Sequence, residues 1–191
     1  TERAVWLVNP SFEAHRPGAA WPNAGPIGGW AGGSGVNIGG PFNDNGGTPD
    51  RNKVGFAQGS RAVTQTITGL NPEKQYWLQF YYNRRNCCGG STVSLIVEID
   101  GEEVARHEEL KAVGGANPYH SKTVVFTPES DTAEVVFRGE VAGDATMIYD
   151  AISIVQRDEG NVIVMNPSFA ASGPPPRPGY IQPQPIAGWA G

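Results

Sequence analysis

The sequence predicts an all-β chain folded as a two-sheet antiparallel β-sandwich. Three observations carry that expectation. Six segments (61–68, 75–85, 92–100, 119–127, 131–138 and 145–156) are rich in Val, Ile, Thr, Tyr and Phe and are bounded by turn residues. Within them apolar and polar residues alternate with the period of two that places one face in a core. Between them lie long loops and no recurring helical stripe, the pattern of sandwiches rather than of helix-on-sheet folds.

Taken in order, 61–68 opens the series as a stretch rich in β-branched residues. In 75–85, Tyr76, Leu78, Phe80 and Tyr82 share one face, while Trp77, Gln79, Tyr81 and Asn83 point the other way. Val93, Leu95, Val97 and Ile99 alternate against Thr92, Ser94, Glu98 and Asp100, and Asp100-Gly101 is a hairpin-turn dipeptide. Residues 102–113 contain good helix formers whose apolar positions make no clean helical stripe, so the segment reads as the returning strand, with a short helix as the alternative. The last three segments contribute Phe126, Phe137, Ile148, Ile152 and Ile154 to the expected core.

The chain has 191 residues, enough for one sizeable domain or one domain and part of another. Its 26 glycines and 16 prolines crowd into residues 16–60 and 173–191, which excludes a collagen-like or wholly disordered chain. A net charge of −5 and the lack of a basic tract make it a poor partner for nucleic acid. No apolar run is long enough to span a membrane as a helix. The adjacent Cys87 and Cys88 form neither a disulfide framework nor a zinc motif. They are expected as free thiols in preference to a strained vicinal bridge. With no initiator Met and no leader at Thr1, the chain reads as a piece of a longer protein.

An internal echo gives the domain organisation. Val8-Asn9-Pro10-Ser11-Phe12 returns as Met165-Asn166-Pro167-Ser168-Phe169, and Pro26-Ile27-Gly28-Gly29-Trp30-Ala31-Gly32 returns as Pro185-Ile186-Ala187-Gly188-Trp189-Ala190-Gly191. Arg16-Pro17-Gly18 likewise matches Arg177-Pro178-Gly179. Residues 1–157 therefore read as one complete module and 158–191 as the opening of a second, truncated copy. Trp30 and Trp189 sit in the same local setting and read as core plugs.

Catalytic chemistry finds little support. His15, His107 and His120 are far apart in sequence, and no nucleophile-elbow Gly-x-Ser-x-Gly is present. The stretch Gly33 to Gly39 has one residue too many for a dinucleotide loop and no following helix. The chain is read as a non-enzyme. Asp150 stands out, because residues 148, 150, 152 and 154 share parity and three are isoleucines, which aims its carboxylate into the core. A buried carboxylate needs a partner: an Arg, a place at a sheet edge, or a hard cation such as Ca²⁺. Asn43-Asp44-Asn45-Gly46 with Asp50 is a second oxygen-rich loop, read as a solvated turn.

Val8-Asn9-Pro10-Ser11-Phe12-Glu13, Gly29-Trp30, the stretch Gln58-Gly59 through Gly69-Leu70, Tyr76-x-Leu78-x-Phe80 and Tyr149-Asp150-Ala151-Ile152-Ser153-Ile154 follow one another in a known order. In that order the chain resembles the galactose-binding-like jelly-roll superfamily. The likeness is strongest to tandem extracellular modules of plant cell-wall and bacterial surface proteins, and it spans the first module and the start of the second. It implies a jelly-roll topology, a secreted or cell-surface setting, and sugar binding on an open sheet face or end loops. In polysaccharide-binding relatives the residues matching Glu13 and Asp150 help to hold a structural Ca²⁺. Ala170 replaces Glu13 in the second copy, and Pro10 stands where relatives usually have Gly.

Two functions follow as expectations. The first is a non-catalytic module that binds polysaccharide or cell-wall glycan, with Trp77, Gln79, Tyr81, Asn83 and Arg85 as the ligand face and Glu13 and Asp150 as calcium ligands. The alternative is a structural subunit of a tandem-repeat surface protein, adhesin or extracellular filament. In that case residues 161–191 would self-assemble by donating a strand, with Phe169 and Trp189 buried.

Overall fold

The structure is a computed structural model, and it describes residues 4–14, 23–38, 47–86, 92–113 and 119–157. Among the described residues eleven strands build two sheets: β1 (Asn23–Ala24), β2 (Ala31–Gly32), β3 (Gly35–Ile38), β4 (Lys53–Gln58), β5 (Ala62–Thr68), β6 (Tyr76–Arg84), β7 (Thr92–Ile99), β8 (Glu102–His107), β9 (His120–Phe126), β10 (Thr132–Ala142) and β11 (Thr146–Gln156). Every pairing is antiparallel. One sheet has the order β1-β3-β4-β11-β6-β9 and the other β2-β5-β10-β7-β8. The six predicted segments are all strands, and residues 102–107 form the returning strand of a hairpin. Asp100 and Gly101 turn it with φ of 52° and 83°, as a two-residue hairpin requires.

The alternation read from the sequence fills the space between the sheets. Tyr76, Leu78, Phe80 and Tyr82 of β6 face Val93, Leu95 and Val97 of β7 and Val135 and Phe137 of β10 in one buried cluster. Phe137 is its hub, with Phe80 edge-on at 5.0 Å, Tyr149 at 5.6 Å and Trp30 at 6.2 Å. Trp30 is a core plug, and Ile154 packs against the cluster only partly buried.

Strand β4 is masked in the sequence by its glycine. Gly55 lies mid-strand, and a Cβ there would collide with the Phe12 ring, so the position is bare because another group crosses it. Phe12, fully buried, also packs at 5.7 Å from Trp30. The segment carrying Phe12 is held to β5 by the Trp6–Thr68 bridge and by Gln65. Gln65 accepts from Val8 N at 2.7 Å and donates Nε2 to Val8 O and Gly29 O at 2.9 and 2.7 Å. Replacing it with Ala leaves three backbone groups unmatched. Gln65→Ala should therefore lower stability by roughly 2–4 kcal/mol, read as a shift of the urea midpoint at unchanged slope.

The expected pairing of residues 161–191, the burial of Phe169 and Trp189, and the state of Cys87 and Cys88 lie outside the described residues. So do the Asn43-Asp44-Asn45-Gly46 turn and His15.

Candidate functional site

The outer face of the six-stranded sheet carries the sequence-predicted ligand residues, and register orders them into rungs across β11, β6 and β9. Val155, Trp77 and Val125 form the first rung; Ser153, Gln79 and Thr123 the second; Asp150, Tyr81 and Ser121 the third. Trp77, Gln79 and Tyr81 are half-buried, whereas Val125 and Val155 are 44 % and 47 % exposed. Arg157 places its guanidinium carbon 6.0 Å from the Trp77 ring centroid, held there by Gln75 through Nη1 (2.8 Å) and through its own backbone N–H (2.7 Å). The strip thus runs from an apolar, cation-flanked end into a polar middle.

Asn83 points to the same face, but its amide serves the protein itself. It is fully buried, donating to Val113 O at 2.7 Å and accepting from Val113 N at 3.1 Å and Arg84 N at 2.9 Å. It fastens the chain after β8 over the sheet. Arg85 follows the end of β6, with its backbone N–H on Thr146 O at 3.0 Å. Trp77, Gln79, Tyr81 and Arg85 are thus the partly exposed members of the predicted set, and the first three line up on β6.

The parity reading of Asp150 needs correction. One extra residue bulges β11 between Asp150, opposite Tyr81, and Ser153, opposite Gln79, with Ala151 at φ 47°. The bulge reverses the alternation. Met147 and Tyr149 face the inter-sheet core before it, and Ile152 and Ile154 after it. Ile148 and Asp150 thus face outward, where Ile148 joins Val54, Phe56 and Tyr119 in a separate buried cluster flanked by Tyr81. Asp150 is nonetheless fully buried.

Its carboxylate is used by a loop. Asp150 Oδ2 accepts from Asp50 N at 2.8 Å and Oδ1 from Ala151 N at 2.7 Å. Glu13 Oε1 accepts from Asn52 N and Lys53 N, each at 2.8 Å, and Lys53 Nζ donates to Glu13 O at 2.7 Å. The two predicted calcium residues grip residues 50–53 together. Burial pushes Asp150 up to about 8, a rise that its two N–H donors oppose and that the nearby Asp50 and Glu13 charges reinforce. Among the described residues no Arg or Lys pairs with Asp150, and no three His, Cys, Asp or Glu side chains are grouped so as to hold a metal. A cation here would use carboxylates and backbone carbonyls.

Two features escape the sequence reading. Asn37 of β3, in register with Val54, is buried with both amide atoms lacking a hydrogen-bond partner among the described residues, a costly state that only the sheet geometry reveals. His107 and His120, far apart in sequence, meet with ring centroids 5.0 Å apart.

No family model and no curated protein matches the chain. Among solved structures it is similar to the module TmCBM61 in complex with β-1,4-galactotriose (14 % identity, 81 % of this chain, 99 % of that one, TM-score 0.49). It is also similar to the CBM22-1 xylan-binding domain of Paenibacillus barcinonensis Xyn10C (11 % identity, 76 % and 90 %, TM-score 0.46). A third is the enzymatically active domain of tailspike protein 4 of bacteriophage CBA120 (18 % identity, 69 % and 20 %, TM-score 0.44). These likenesses concern the β-sandwich fold, and the ligand has to come from the site itself.

Proposed function

We propose that this protein is a non-catalytic carbohydrate-binding module, acting outside the cell or at its surface, that takes polysaccharide across the Trp77–Gln79–Tyr81 strip. The observation that carries the reading is the first rung. An accessible indole between two exposed valines is an apolar platform, and surfaces of that kind mark contacts. The C–H face of a pyranose ring needs such a platform, and its hydroxyls need the neighbouring Gln79, Ser153, Thr123 and Ser121. A mixed strip of this sort suits sugars better than a purely apolar ligand.

Ca²⁺ is proposed as the structural partner of Glu13 and Asp150. Both are hard oxygen ligands, and Asp150 is a buried carboxylate with no cation against it among the described residues, while Lys53 Nζ lies 3.7 Å from Glu13 Oε2. The ion would supply that charge and stiffen the loop of residues 47–53 at the margin of the sheet.

Affinity electrophoresis through gels containing soluble galactans, xylans and other plant or bacterial polysaccharides tests the ligand. At least one polymer should retard the protein, and Trp77→Ala should weaken that binding tenfold or more, about 1.4 kcal/mol, without moving the melting temperature. Retardation by none, or an unaltered Trp77→Ala, would remove the reading.

The N-terminal plug favours a second, assembly reading. Asn9, Phe12 and Trp30 anchor the N-terminal segment onto the sandwich, with Trp30 Nε1 donating to Asn9 O at 3.1 Å and Asn9 Nδ2 to Gly28 O at 2.8 Å. Asn166, Phe169 and Trp189 repeat that trio. Oligomers that vanish on deleting residues 161–191 would support assembly by strand donation; a monomer at all concentrations would oppose it.

A further inference from the structure

At one side of the sandwich the two sheets end in β8 and β9, and the gap between these edges is closed by a small polar cluster. Tyr82 Oη and His107 Nδ1 stand 2.8 Å apart, His120 Nε2 is 2.8 Å from Lys111 O, and Lys122 Nζ donates to Arg106 O at 2.9 Å. His120 stacks on Tyr82 at 5.5 Å, and the two imidazoles are nearly perpendicular at 83°. Both histidines are partly exposed.

The Lys111 bond fixes which nitrogen of His120 is left over, whereas the Tyr82 hydroxyl, able to donate or accept, lets His107 take either tautomer, and ligation selects the one with its proton on Nδ1. Lys111 O can only accept, so His120 carries its proton on Nε2 and its bare lone pair on Nδ1. His107 with its proton on Nδ1, donated to Tyr82 Oη, presents a bare Nε2. Neither remaining nitrogen has a hydrogen-bond partner among the described residues. An imidazole whose far N–H is held by an oxygen is the usual arrangement of a metal-binding histidine, because the bond fixes tautomer and ring orientation. The spacing agrees as well. With metal–nitrogen distances of about 2.0–2.1 Å and a tetrahedral angle, two ligated rings stand with centroids roughly 5 Å apart. The observed separation is 5.0 Å.

We propose that His107 and His120 form a two-histidine chelate for a divalent transition metal ion, clamping the edge of one sheet to the edge of the other. Imidazole pairs suit Ni²⁺, Cu²⁺ and Zn²⁺, and water completes the coordination. This site is separate from the Asp150 region, whose oxygens suit a hard cation.

The test is a Ni²⁺ titration of the full chain with Cys87→Ser and Cys88→Ser, which removes both sulfur side chains as competitors. One ion per chain should bind, and the melting temperature should rise with Ni²⁺ concentration. His107→Ala and His120→Ala should each weaken binding at least tenfold. Tyr82→Phe, which keeps both rings but loses the oxygen behind His107, should cost about 10–100-fold. If an alanine variant fails to fold, the unsubstituted histidines answer by NMR. Substoichiometric Ni²⁺ should broaden the ring protons of His107 and His120 before those of His15. Equal broadening of all three, no binding, or binding indifferent to both alanine substitutions would show an edge-to-face ring pair and nothing more.

Discussion

Phe12→Ala should destabilise the protein by about 3–5 kcal/mol, the range for emptying a fully buried Phe site. The ring lies across Gly55 in the middle of β4 and packs on Trp30. Its removal opens a cavity that Gly55, having no side chain, cannot fill. Trp30 in turn contacts Phe137, the hub of the inter-sheet cluster, so the loss reaches the centre of the sandwich. Urea unfolding should show the midpoint fall while the N-terminal segment becomes sensitive to protease. A loss under about 1 kcal/mol, below the range for a buried Phe, would mean that residues 4–14 are only draped on the sandwich.

In chelator, stability should fall as pH rises from about 5 to 8 through the titration of Asp150. Its unfolded value is about 3.9, and burial pushes the folded value up to about 8. Between those values the folded chain keeps a proton that the unfolded chain has released, so this contribution is full below the lower value and lost as pH climbs through the upper one. The slope approaches about 1.4 kcal/mol per pH unit for one proton. His107, depressed by burial, runs in the opposite sense below about 6.5. The clean quantity is therefore the difference between wild type and Asp150→Asn. That variant should come nearest to wild type below about pH 4 and exceed it by a growing margin up to about pH 8. Saturating Ca²⁺ should reverse the wild-type trend by favouring the ionised carboxylate. Identical pH profiles with and without Ca²⁺ would dismiss calcium, and an Asp150→Asn profile parallel to wild type would dismiss the titration.

What the sequence discloses, and what it withholds, divides by the range of the interactions involved. Alternation is local, so β6, β7 and β10 and their buried faces are read directly, as is the Asp100-Gly101 turn. Strand β4 is not, because Gly55 owes its presence to a ring more than forty residues earlier in the chain. The bulge at Ala151 is invisible for a related reason. One residue in a left-handed conformation reverses every later side chain, and Ala carries no signature of it. Parity singles out Asp150 as a buried carboxylate, but on the wrong face. It puts Asn83 on the right face, yet the amide is taken by Val113, thirty residues away. The meeting of His107 with His120 depends on two sheet edges closing on each other, which no spacing rule encodes.

On the proposed reading, glycan lies across the Trp77–Gln79–Tyr81 strip. This is tested most directly by titrating an oligosaccharide of the retained polymer into isotopically labelled protein and mapping the amide and indole shifts. The shifts should concentrate on Trp77, Gln79, Tyr81, Ser121, Thr123, Val125, Ser153 and Val155, the residues of the three rungs other than the fully buried Asp150. Shifts gathered instead on the charged outer face of β7, β8 and β10, around Glu98, Arg106 and Arg138, would contradict it.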